Sequence, residues 1–185
     1  MTDIYLHCPT LEGPSLTLRP LLHSDAQGLL AIYGDAANLP FFNSDNCHGD
    51  TFHYTTLDRM EEAVRFWQYA YEVRAFVRWT LEVGGRIAGM VECFRREAED
   101  AFTDCALLRI DLGRADDTAD VHDELLSLLL PHLQAWFGCC RAATKAPAIA
   151  QARQTALRAH GFRPSSKSLI GHDGTRYGDY WLLEY

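Results

Sequence analysis

Two carboxylates in otherwise apolar runs are the residues of this chain best placed to do chemistry. Glu92 sits within GMVECF, on the same side as Met90 and Phe94 if the run is a strand. Apolar surroundings raise a carboxyl's pKa and would move Glu92 toward the range of a general base. Asp111 stands near the end of DCALLRIDL and could serve in the same way. Each also reads as a structural carboxylate satisfied by hydrogen bonds. Further carboxylates crowd RADDTADVHDELL (residues 114–126), where a strand-like run gives way to a helical one. Acidic side chains stabilise a helix start by about 0.3–1 kcal/mol each. His122 in that stretch could move protons, but a histidine in the first helical turns usually sits at the surface. Cys47-His48 with His53 matches no zinc spacing, and the six cysteines contain no C-x-x-C pair, so no metal is expected. Neither a Ser-His-Asp signature nor a P-loop is present.

The elements that must position these groups are legible from patterning. A chain of 185 residues most simply makes one domain, residues 1–185, and 48% hydrophobic against 23% charged residues is a globular balance. The formal net charge of -8 argues against nucleic acid or an anionic membrane as partner, since both need a basic face. No apolar run approaches the roughly 18 residues needed to span a bilayer. MTDIYLHCPTLEG lacks the basic start and apolar core of a secretory signal, so the expected location is the cytoplasm.

SLTLRPLL alternates like a strand that ends at Pro20, and Ser24 is placed to cap a short helix reaching Tyr33, with Asp25 in its first turn. NLPFFNSDNCHGD is a long loop whose Phe41 and Phe42 either bind a ligand or plug the core. Thr55 and Asp58 have capping-box spacing ahead of a helix with an apolar stripe at Leu57, Met60, Val64, Trp67 and Tyr71. Two β-rich runs then flank Gly84-Gly85, a hairpin turn in which both residues tolerate positive φ. DCALLRIDL is a third run. A helix over 118–136 follows, and Pro131 predicts a kink or an early end. A short strand over 139–144, a helix over 148–160 closed by Gly161, and a hairpin of SKSLIG with RYGDYWLLEY about HDGT complete the chain. The order β, α, α, β, β, β, α, β, α, β, β predicts an α/β fold with one mixed, mostly antiparallel sheet flanked by helices.

In that order the pieces resemble the GNAT-superfamily N-acetyltransferases, most nearly the branch acetylating ribosomal-protein N-termini and related amines. LTLRPLLHSDAQGLLAIYGD is similar to that branch's opening strand and first helix. WTLEVGGRIAGMVECF is similar to its central hairpin, with Gly89 at the isoleucine-glycine step. ARQTALRAHGF is similar to its penultimate helix, and HDGTRYGDYWLLEY to its last hairpin. The resemblance implies the acyl-CoA N-acyltransferase (GNAT) fold and acetyl transfer from acetyl-CoA to a primary amine, either a small molecule or a protein N-terminus. A homodimer is among the assemblies it allows.

It further implies that pantetheine lies in a V beside the strand of residues 104–112, against Ile110 and Leu112. The pyrophosphate would sit on amides at the next helix start, within a motif of the form Q/R-x-x-G-x-G/A. Arg114, Thr118 and Ala119 would contribute there, with Gln154 from the penultimate helix. The acceptor would lie between Phe41, Phe42 and Asn43 on one side and Tyr177 on the other.

The sequence departs from the family at that cradle. With Arg114 in the first motif position, Asp117 replaces the first glycine; aligned without gaps, the motif falls on DTADVH and has none. A carboxylate facing a pyrophosphate in a low-dielectric pocket costs on the order of several kcal/mol. Ala150, Arg153 and Leu157 replace the customary asparagine, serine and tyrosine of the penultimate helix, and Leu107 replaces an early glutamate, leaving Glu92 and Asp111 as substitute bases. Arg153 and Arg158 could bring phosphate contacts from another direction. A GNAT-like domain that binds small molecules or proteins without acetyl-CoA therefore stands beside the enzyme as the alternative.

Overall fold

The computed structural model describes residues 3–185. Eight strands form one sheet in the order β1-β2-β3-β4-β5-β6-β10-β7. They are β1 (Leu11–Glu12), β2 (Leu16–Pro20), β3 (Val77–Val83), β4 (Arg86–Arg95), β5 (Cys105–Leu112), β6 (Arg141–Lys145), β7 (Arg163–Pro164) and β10 (Tyr180–Glu184). A separate small ribbon pairs β8 (Leu169–Ile170) with β9 (Arg176–Tyr177). Every pairing is antiparallel except β5 with β6. That parallel pair needs a long crossover, which is α3 (Ala119–Phe137).

The helices divide between the two sheet faces as the apolar stripes require. Leu125, Leu129 and Leu133 of α3, with Ala156 and Leu157 of α4 (Gln151–Ala159), join a core with Leu18, Leu81, Val91 and Ile110. Leu29 and Tyr33 of α1 (Ala26–Tyr33), with Met60, Val64 and Trp67 of α2 (Leu57–Glu72), form the opposite core around Met90. Each buried leucine, isoleucine, valine or methionine among them contributes roughly 1.5–3 kcal/mol. No helix among the described residues is long and apolar enough to cross a membrane.

Several local expectations are corrected. Ser24 lies within a 3-10 turn, His23–Asp25, and makes no cap bond to α1. Asp25 is buried instead: it accepts from Arg19, the Leu22 amide and the Thr80 hydroxyl, tying the end of β2 to α1. The N-cap of α2 is Thr56, one residue later than expected, and it accepts from the Arg59 amide at 3.3 Å. Helix α3 continues through Pro131 to Phe137 without ending early. Pro131 and Ser127, whose carbonyl loses its donor, both face solvent, so water can serve the orphaned oxygen. The last hairpin is only the β8–β9 ribbon; β10 instead inserts between β6 and β7.

The centre of the sheet holds an irregularity. Leu81 pairs with Gly89 but Glu82 pairs with Ile87, so Ala88 is an extra residue on β4. Beside this bulge a Cβ on Gly89 would lie 2.1 Å from the Asp111 carbonyl oxygen. Only glycine allows β4 and β5 to close to that distance.

Candidate functional site

The bulge brings three charged residues into one row across the sheet. Arg78 pairs in register with Glu92, and Glu92 with Arg109. Arg78 Nε donates to Glu92 Oε2 at 2.6 Å and Arg109 Nη1 donates to Oε1 at 2.7 Å. All three side chains are buried. Burial alone would raise the Glu92 pKa, but the two guanidiniums outweigh it and hold the carboxyl below its ordinary value. The expectation that apolar neighbours lift Glu92 toward a general base is therefore corrected: it is an ionised bridge.

Arg78 and Arg109 retain donors without partners. Nη1 of Arg78 and Nε of Arg109 are buried and unbonded among the described residues. The Arg78 guanidinium lies 3.9 Å from the Trp67 ring centroid. Both arginines and Glu92 line a cavity of about 350 Å³ whose other walls include Phe52, Tyr54, Trp67, Phe76 and Phe94. A volume near the lower end of the roughly 300–1,000 Å³ typical of small-molecule sites suits a compact ligand.

Asp111 lies one register step past the bulge and is also buried. It accepts from the Tyr33 hydroxyl at 2.9 Å and from the Asn43 amide at 3.3 Å. Burial raises its pKa, an effect that Arg78, Tyr33 and Asn43 oppose without cancelling. Asp111 is thus the carboxylate with the upward shift expected for Glu92.

The loop after α1 is fastened over this centre by polar groups. Lys145 donates to both Asp45 carboxylate oxygens at 2.7 and 2.8 Å, and the Tyr180 hydroxyl donates to Oδ2 at 3.1 Å. Arg109 Nη2 donates to the Asp45 carbonyl at 2.8 Å. Asn43 donates to the Tyr180 oxygen at 3.3 Å. Asn43 is accordingly buried, and Phe42 plugs the core beside Tyr33. Phe41 lies under the Arg114 guanidinium, 3.8 Å from ring centroid to Cζ. Tyr177 packs, partly buried, against the small apolar cluster that includes Leu169 and Tyr180. Of the four residues expected to meet an acceptor, Phe42 and Asn43 are structural.

Beyond Leu108 and Thr144 the parallel strands β5 and β6 have no further paired residues. This opening corresponds to the V expected to hold pantetheine, and Arg153 of α4 fills it. The Arg153 side chain is 1% exposed; its Nη2 donates to the Ile110 carbonyl at 2.9 Å and its Nη1 to the Lys145 carbonyl at 3.1 Å. Burial lowers its pKa, with Asp117 and Asp111 acting in the opposite direction. Ile110 and Leu112 are themselves fully buried. Arg153 is therefore turned inward, away from any phosphate role.

The start of α3 is partly occupied: the Ala119 and Asp120 amides have no partner among the described residues. The Asp116 and Asp117 amides donate to the Gly113 carbonyl, the Thr118 amide to Asp116, and the Val121 and His122 amides to Thr118. Asp116 is paired with Arg86, and Asp117 with Arg114. His122 is not at the surface: it is fully buried, with Nε2 2.6 Å from Asp117 Oδ1. Its pKa is lowered by burial, against the pull of Asp117. Thr118 is the N-cap, Ala119 the first helical residue, and Gln154 donates to the Ala146 and Pro147 carbonyls. Arg158 lies over the Trp181 ring, 5.0 Å from its centroid. Arg153, bridging the Ile110 and Lys145 carbonyls, takes the space in which a pantetheine arm would lie in this arrangement. Among the described residues no group of three or more His, Cys, Asp or Glu side chains gathers as metal ligands would.

No protein-family model matches the sequence, and no curated protein does. Solved structures do match. RimL, a ribosomal L7/L12 alpha-N-protein acetyltransferase in complex with coenzyme A, superposes with a TM-score of 0.70 at 14% identity, covering 95% of this chain and 98% of that one. Mycobacterium smegmatis RimJ in complex with CoA-disulfide gives 0.69 at 16% identity, covering 96% and 85%. A Salmonella typhimurium acetyltransferase that modifies the N-terminal serine of L7/L12 gives 0.68 at 14% identity, covering 96% and 99%. These likenesses, together with the mixed sheet, the bulge on β4 and the parting of β5 from β6, show that the chain has the fold of the GNAT acetyltransferases.

Proposed function

We propose that this chain is a small-molecule-binding protein on the GNAT acetyltransferase fold, with its acyl-CoA groove closed and its ligand site in the arginine- and aromatic-lined cavity. The observation that carries the proposal is Arg153, whose guanidinium takes the Ile110 and Lys145 carbonyls where the resemblance would lay pantetheine. A crystal soaked with coenzyme A tests it. The expected map leaves the space along Ile110–Leu112 to Arg153; density for the pantetheine arm there would contradict it.

The second reading is acetyl transfer from acetyl-CoA to a primary amine, on a small molecule or a protein N-terminus. The likeness to acetyltransferases solved with coenzyme A supports it. So does Asp111, whose raised pKa suits a proton acceptor. It requires Arg153 to leave the V.

A further inference from the structure

We infer that the cavity between α2 and the sheet binds a small carboxylic acid with a flat apolar body, its carboxylate meeting Arg78 and Arg109. This rests on the reading that the cavity is the ligand site. Three other charged groups lie close to the Arg78–Glu92–Arg109 row. Arg59 and Asp50 line the cavity but engage each other at 3.1 Å, with Asp50 also accepting from Tyr54. Asp111, behind the row, is occupied by Tyr33 and Asn43.

What remains is one carboxylate, Glu92, shared by two buried guanidiniums that each keep an unpartnered donor. A buried donor without a partner costs about 1–3 kcal/mol. An entering carboxylate would offer one oxygen to each guanidinium, and hydrogen bonds between ionised groups are roughly twice as strong as neutral ones. A neutral amide of the same shape offers one acceptor and sets its NH₂ against a donor. The aromatic walls fix the remainder of the ligand. Phe52, Trp67 and Phe76 already surround the Arg78 guanidinium within 5.5 Å of its Cζ. A flat ring can stack on such walls.

The test titrates the full chain with phenylacetate and indole-3-acetate and, in parallel, with their neutral amides. Calorimetry and tryptophan fluorescence both serve, Trp67 being in the wall. At least one acid is expected to bind saturably, and at least about tenfold more tightly than its amide, which is about 1.4 kcal/mol. Arg78→Gln should erase that preference, since Glu92 and Arg109 then neutralise each other and no net positive charge is left in the row. Arg86→Ala, whose partner Asp116 lies at the start of α3, should not change it. Absence of saturable binding by both acids, equal affinities for acid and amide, or an unchanged preference in Arg78→Gln would each overturn the inference. If Arg78→Gln does not fold, the acid–amide ratio of the unmodified chain decides alone. Acetyl-CoA binding would sink the closed-groove reading while leaving that ratio untouched, so the two failures are distinguishable.

Discussion

Replacing Glu92 by glutamine keeps the shape and removes the charge between two buried arginines. Its carboxylate oxygens lie 2.6 and 2.7 Å from Arg78 and Arg109. At an effective dielectric of 20, each contact contributes about 6 kcal/mol of attraction before desolvation is subtracted. Desolvation of each buried ion takes back several kcal/mol. The net effect of removing one member is dominated by the uncompensated partners left behind, about 3–5 kcal/mol. For a chain of this length that corresponds to a fall in Tm of roughly 6–20 °C. Urea unfolding at neutral pH, followed by tryptophan fluorescence, reads it directly. The double variant Glu92→Gln with Arg78→Met should recover part of the loss, because only one guanidinium then lacks its counter-ion. A loss below about 1 kcal/mol in Glu92→Gln would refute the reasoning, since that is the scale of an ordinary exposed ion pair. It would mean that Glu92 is neutral, as its apolar sequence neighbours alone suggest.

Gly89→Ala should cost more than the usual overpacking penalty of about 1–3 kcal/mol, because the new Cβ meets a backbone oxygen that cannot step aside; recovery of soluble, cooperatively unfolding protein at the level of the unmodified chain would contradict this. Asp111 has a folded pKa above its unfolded value, so the stability it contributes is present below about pH 4 and is lost as pH rises through the folded pKa. Asp111→Asn should therefore gain on the unmodified chain between acid and neutral pH, and parallel urea midpoints across that range would count against the shift. His122 has a folded pKa below 6.5, so its contribution is present above that value and is lost as pH falls through the folded pKa. His122→Gln should flatten that acid-side decline, and an unchanged slope would place the imidazole in contact with water.

The layers of the fold were legible because apolar periodicity reports burial. Met60, Val64 and Trp67 on α2, and Leu125, Leu129 and Leu133 on α3, face the cores that their spacing assigns them. The charged row across the sheet was not legible, for a definite reason. Counting back from the Gly84-Gly85 turn without a bulge pairs Glu92 with Val77; the extra residue at Ala88 moves it to Arg78. Arg78 and Arg109 each interrupt an apolar run, and that was the available signal. Arg153 was missed for a different reason. Helical spacing places it on the buried side of α4 with Ala156 and Leu157, but an arginine there is normally assigned to solvent. His122 follows the same pattern, lying beside Val121 and one turn before Leu126 on the buried side of α3. The carboxylates at the helix start were visible, but their internal partners Arg86, Arg114 and His122 were not.

Isothermal titration of the unmodified chain with acetyl-CoA at low salt tests the closed groove most directly. The expected result is no saturable binding tighter than about 1 mM, less than about 4 kcal/mol of binding free energy. Micromolar binding would contradict it, because it would require Arg153 to surrender the Ile110 and Lys145 carbonyls to the pantetheine arm.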